Sequence, residues 1–225
     1  MNKHFRSLEA FGVNIMKFTL TFDGELRSNG TPQQKSNIRQ YLDPQLQELW
    51  KISEVLKYSE INRFVPTSPG FPVWEVHHSA DEKVPEFSAP DKSWIDLLAP
   101  IERGGKKFIP LVRNSMALRC GLKITFLRKE DPGKVYQGGD LDNRLKTLFD
   151  ALAIPNIDQI PKNDPLCPET IYCLMEDDSL ISGVSIETHR LLSAPNGSKH
   201  DVRLVIEVDV RVALPRMYNA HFLGD

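Results

Sequence analysis

The chain has 225 residues, 40% hydrophobic and 26% charged, a balance that supports a buried core and excludes a disordered chain. The formal net charge of −2 excludes a protein that holds nucleic acid by overall basicity, so any polyanion surface has to come from segregation of charge along the sequence. The three cysteines, Cys120, Cys167 and Cys173, form no C-x-x-C pair, which argues against a disulfide framework or zinc site and for a reducing, cytoplasmic setting.

Residues 1–15 carry Lys3, His4, Arg6 and Glu9 and no apolar centre, so they read as an N-terminal extension rather than a secretory signal, with Met16 a candidate natural start. No run reaches membrane-spanning length. Residues 16–22 alternate as a strand that Asp23-Gly24 ends. Thr31-Pro32 then gives a helix cap followed by proline in the first turn, and Asp43-Pro44 predicts a restart of the helix by the same logic. Trp50 falls on the broad apolar face of that second helix and is assigned to the core.

From 66 to 110 seven prolines break any periodicity, which predicts an irregular insertion, pinned to the body by Trp74 and Trp94. His77-His78 lies within it without further ligands at metal spacing and reads as surface loop. Residues 107–112 and 119–128 read as strands, the second with Leu122, Ile124 and Phe126 inward and its basic residues outward. Leu145, Leu148, Phe149 and Leu152 recur at i, i+3, i+4 and i+7, one buried face of a helix, with Asn143, Lys146 and Asp150 opposite. Asp142 stands at the expected N-cap. Residues 153–176 read as a second insertion, rich in proline and aspartate. Strands at 180–192 and 201–212 follow, joined as a hairpin through Pro195-Asn196-Gly197. The elements predict a single α/β domain, a mixed β-sheet with helices packed on it and Pro-rich insertions.

Charge is segregated. Lys106, Lys107, Arg113, Arg119, Lys123, Arg128, Lys129 and Lys134 outnumber Glu130 and Asp131 across residues 106–134, and acids outnumber bases from there to residue 190. A basic block running into an acidic cluster suits a site that holds a polyanion beside a divalent cation. The acids gather at Asp140-Leu141-Asp142, with Lys146 one helical turn beyond Asp142, and at Glu176-Asp177-Asp178 before a strand.

The run Asp140-Leu141-Asp142-Asn143, then Lys146, then Phe149-Asp150-Ala151-Leu152, and later Asp177-Asp178 before a strand, resembles the RusA family of Holliday junction resolvases. The resemblance extends over residues 16–42 and 119–212. It implies a RusA-like α/β homodimer that uses Mg²⁺ or Mn²⁺ to cut four-way DNA junctions. By matching position it implies Asp140, Asp142 and Asp178 as metal-binding carboxylates, Asp177 as accessory, and Lys146 as the catalytic lysine. Asn143, Lys123, Arg128, Lys129 and Lys134 are the expected DNA contacts. The chain departs from the family pattern in its length, in the insertion between Leu152 and Asp177, and in the sequence Val-Tyr-Gln-Gly-Gly before Asp140 where arginines are expected. The alternative is a branched-DNA binder of the same fold that does not cut.

Overall fold

A computed structural model describes residues 16–66, 94–129, 140–161, 168–192, 198 and 200–223. The central element is β6 (Leu118–Arg128), whose residues alternate between buried and more accessible along its whole length. It pairs antiparallel with β9 (Asp201–Val212) and parallel with β8 (Ile181–Arg190), and β1 (Lys17–Glu25) pairs antiparallel with β9. The order is therefore β1-β9-β6-β8. Period-two patterning puts Leu20, Phe22, Leu122, Ile124, Phe126, Leu204, Ile206 and Val208 into one cluster with apolar residues of α1 (Pro32–Ile52) and α3 (Asp140–Leu152). The chain is thus mixed α/β, with helices packed on one face of a mixed sheet. No helix among the described residues is long and apolar enough to cross a membrane.

The expected hairpin does not form: β8 and β9 lie on opposite sides of β6 and do not pair with each other. Parallel pairing of β8 with β6 requires a crossover, and the Leu191 N–H donates to Arg128 O at 2.6 Å as the chain leaves β8. The Pro195-Asn196-Gly197 turn itself lies outside the described residues.

Thr31 caps α1 as expected, in a capping box with Gln34. The restart at Asp43-Pro44 is overturned, because α1 runs unbroken through Pro44. Ile38, Leu42, Leu46 and Trp50, all buried, form a stripe that passes through the proline, and burying it outweighs the helix-interior cost of about 3 kcal/mol. Asp43 is itself buried and accepts the Tyr172 N–H at 2.7 Å and Gln47 Nε2 at 3.0 Å. It ties α1 to β7 (Thr170–Met175) rather than opening a helix. α2 (Glu54–Ile61) begins only after Ser53.

Both expected insertions contain regular structure. Within 66–110, β2 (Phe64–Pro66) pairs with β3 (Trp94–Asp96), and β4 (Ile101–Arg103) pairs with β5 (Lys106–Val112). Trp94 is 40% exposed and does not anchor this segment. Arg113 does: its guanidinium is buried and donates to Pro110 O at 2.8 and 3.0 Å and to Leu97 O and Ala99 O at 3.1 Å. Pro110 sits inside β5 without breaking the ladder. The Lys107 N–H faces β7, so by alternation the Pro110 nitrogen faces the other edge, which β4 leaves uncovered beyond Phe108. Within 153–176, β7 is a strand parallel to β5, and Ile171 and Cys173 join Phe108 and Ile154 in a second small core. His77, His78 and Trp74 lie outside the described residues.

The 3-10 segment Met217–Leu223 docks on α2, with His221 Nε2 2.6 Å from Ser59 Oγ. That hydroxyl already donates to Val55 O, so the ring nitrogen is the donor. Burial holds His221 below the ordinary histidine value of 6.5. The folded state therefore favours the neutral ring; the contribution to stability is complete above the unfolded-state value and is lost as pH falls through the lower folded one. Thermal melts taken from about pH 7.5 to about pH 5 should show a decline that His221→Gln reduces; equal slopes in the two proteins remove His221 as its cause.

Candidate metal and nucleic-acid site

α3 starts at Asp140, so Asp142 lies within its first turn instead of at the N-cap. Its buried arc is wider than the apolar pattern suggests. Arg144, Leu145, Thr147, Leu148, Ala151 and Leu152 are all buried, because the helix packs against α1 as well as the sheet. Asp142 and Lys146 remain exposed, separated by about 40° around the axis at about 100° per residue, so they share one solvent-facing strip. Asn143 is half-buried beside that strip.

Three contacts fix α3 on α1 and on the turn that precedes it. The Gly30 N–H donates to Thr147 Oγ1 at 2.9 Å, and that hydroxyl donates to Asn143 O at 3.1 Å. Lys35 Nζ lies 2.7 Å from Asp150 Oδ2 with both side chains largely buried. Arg39 donates to Asp150 O and Ala153 O at the C-terminal end of α3, where carbonyls lack helical partners. The expectation that Asp150 faces solvent is therefore corrected, since it serves α1. A β-carbon at Gly30 would stand 2.4 Å from Thr147 Cγ2. Gly30→Ala should thus cost about 1–3 kcal/mol, read as a lower urea midpoint; an unchanged midpoint means that the two helices part without penalty.

Lys146 pairs with neither Asp142 nor Asp150. Among the described residues Asp142, Lys146 and Asp178 have no hydrogen bond or ion pair that ties down their charged ends. A helix-stabilising i to i+4 pair does not account for the lysine.

The second acidic cluster divides its work. Glu176 Oε2 accepts the Asn114 N–H at 3.0 Å, and Asp177 Oδ1 accepts the Ser179 N–H at 2.9 Å, capping the 3-10 turn Asp178–Leu180. Asp177 and Asp178 are exposed, whereas Leu180 is buried. The turn lies against α3 and against β6. The acids of residues 177–178 thus sit on a segment that touches the helix bearing Asp142 and Lys146. No group of three His, Cys, Asp or Glu side chains that could hold a metal occurs among the described residues, and the Asp140 side chain is outside them.

The basic strand is less available than its sequence implies. Arg128 is 3% exposed on the inward side of β6, alternating with Leu122, Ile124 and Phe126, so its expected outward contact with DNA is corrected. Lys123 is exposed, but it lies 3.3 Å from Glu207 directly across the β6–β9 ladder, and it points from the face opposite the helices. Lys123 and Lys146 therefore belong to opposite faces of one sheet. Lys129 is 3.4 Å from Asp201 and mostly covered. Lys134 lies outside the described residues. Sequence reasoning missed Thr147, Arg39 and Lys35, which position α3; no local pattern marks them, because each acts across more than a hundred residues.

Cys120 and Cys173 are buried, and burial pushes the Cys120 thiol up to about 12, so it is no nucleophile at neutral pH. No protein-family model matches the chain, and no curated protein or solved structure matches it either.

Proposed function

We propose that this protein is a divalent-metal-dependent, structure-specific DNA endonuclease of RusA type that resolves four-way junctions or related branched DNA by phosphodiester hydrolysis. One observation carries the reading: a turn bearing two exposed aspartates packs against a helix whose exposed strip carries an aspartate and a lysine without an ion-pair partner among the described residues. A divalent cation held between the two segments would neutralise their carboxylates.

The donor set is chemically suited to Mg²⁺ or Mn²⁺, since Asp140, Asp142 and Asp178 supply hard carboxylate oxygens and Asp177 keeps a second oxygen beyond its capping bond. When bound, such an ion supplies charge neutralisation at the phosphoryl oxygens and activation of water. Lys146 stands on the same strip as Asp142 and presents a compact positive charge to a phosphate oxygen or to the developing charge on the leaving oxygen. Asn143, on the flank, donates to the DNA backbone. α1 holds this strip in place through Thr147 and Asp150, so the reacting groups ride on a helix whose position is fixed at several points.

A labelled four-way junction, a fork and a duplex, each incubated with the purified protein with and without Mg²⁺, test the proposal. Paired incisions in the junction that require metal are the expected result. Tight junction binding without products in Mg²⁺ or Mn²⁺ selects the non-cutting binder.

A further inference from the structure

The connection from β1 to α1 contains the pair Asn29-Gly30, and its two residues stand in opposite environments. Asn29 is exposed, with a φ of 56° in the left-handed region that asparagine tolerates. Gly30 is buried, and its N–H donates to Thr147 Oγ1 at 2.9 Å while that hydroxyl donates to Asn143 O. The backbone at Gly30 does not itself call for glycine, since among the described glycines only Gly104 and Gly105 have a positive φ. Close approach does, because a β-carbon there would stand 2.4 Å from Thr147 Cγ2. The same missing side chain exposes the pair to a reaction. Asparagine followed by glycine is the sequence in which a backbone nitrogen is least hindered from attacking the preceding carboxamide.

We propose that Asn29-Gly30 is a latent deamidation site, held closed by the hydrogen bond from Gly30 to Thr147. In the reaction the Gly30 nitrogen passes its proton to a solvent base and bonds to Asn29 Cγ. The Cγ–Nδ2 bond breaks, and that nitrogen leaves as ammonia. Water then opens the five-membered imide at one of its two carbonyls. One opening leaves an aspartyl residue at position 29; the other leaves an isoaspartyl link, with an extra methylene in the main chain. In the folded protein the attacking nitrogen is buried and its proton is held by Thr147 Oγ1, so the attack waits for the loop to open from α3. Its rate is then the rate of the free pair reduced by the population of that local opening. The imide has no N–H to return to Thr147, and the isoaspartyl link lengthens the path from β1 to α1. Of the contacts that position α3, this one is therefore lost by chemical ageing. The inference stands apart from the nuclease reading, because its readout is a mass.

The full chain, held at mildly alkaline pH both folded and in guanidinium chloride, tests it. Mass spectrometry of the peptide containing position 29 follows the replacement of NH2 by OH, and chromatography resolves the isoaspartyl form. The unfolded chain should convert readily, and the folded wild type at least on the order of tenfold more slowly. Thr147→Val keeps the shape of the side chain and removes the acceptor, so it should bring the folded rate toward the unfolded one with an unchanged circular dichroism spectrum. Thr147→Ser keeps the hydroxyl and should stay slow. A folded wild type that converts as fast as the unfolded chain overturns the inference, and that comparison needs no variant. So does a folded Thr147→Val that converts no faster than the wild type or than Thr147→Ser, and so does an unfolded chain that leaves position 29 unchanged.

Discussion

Replacing Asp142 by Asn should lower metal-dependent junction cleavage by on the order of a hundredfold or more, the scale set by losing a group that stabilises charge in the transition state. The amide keeps the shape of the carboxylate and removes its charge. Asp142 is exposed and has no hydrogen-bond or ion-pair partner among the described residues, so the fold has no stake in that charge. Junction affinity measured in Ca²⁺ or without metal should therefore stay within about twofold, and the urea midpoint should not fall. The pattern discriminates between roles. Equal loss of cleavage and binding would make Asp142 part of the DNA contact surface, and unchanged cleavage would remove it from the site. Lys146→Ala should show the same separation, with turnover falling far more than affinity.

The largest effect on stability is expected at Arg113. Arg113→Ala should cost roughly 2 to 5 kcal/mol, because each buried acceptor left unmet costs about 1 to 3 kcal/mol and the carbonyls of Ala99 and Pro110 lose their donor, while Leu97 O keeps the Ser115 hydroxyl. Desolvation lowers the Arg113 pKa only to about 10, so the group is charged at neutral pH and donates from all three nitrogens. Arg113→Lys should rescue little of this, since a single ammonium cannot span the positions that the planar fork reaches. Chemical unfolding at pH 7 checks both variants. A loss below about 1 kcal/mol for Arg113→Ala would mean that water satisfies the freed carbonyls, and that residues 97–99 are not held by this side chain.

Period-two and helical patterning led to the right elements wherever one face is buried and the other solvated. β1, β6 and β9 alternate cleanly and were legible, as was the capping box that opens α1. β7 was not legible as a strand. It is short and buried on most of its length, so Ile171, Cys173, Leu174 and Met175 form a run without alternation, next to prolines that signalled a loop. Pro44 and Pro110 misled for different reasons. At Pro44 the helix gives up the bond to the carbonyl four residues back and the buried stripe outweighs that loss, whereas the Pro110 nitrogen faces an edge where no donor is needed.

Charge was the least readable property. Asp140, Asp142, Asn143, Lys146, Asp177 and Asp178 were picked out by spacing along the sequence, and nothing in that spacing shows that the 177–178 turn rests on α3. Lys123 and Arg128 have the same sign and sit five residues apart in one strand, yet one faces solvent beside Glu207 and the other is buried. An odd separation in a strand assigns them to opposite faces, but the sequence does not say which face the helices cover.

The mixed α/β class, the amphipathic helix that carries the acids and lysine, and the segregation of charge are all written in local period and composition. That β8 crosses over instead of returning as a hairpin, that Gly30, Lys35 and Arg39 clamp α3, and that much of the basic strand is spent on internal partners came from the packed fold. Those outcomes depend on contacts between residues far apart in the chain, where the free energy of burying a face or pairing a charge is settled by what arrives on the other side.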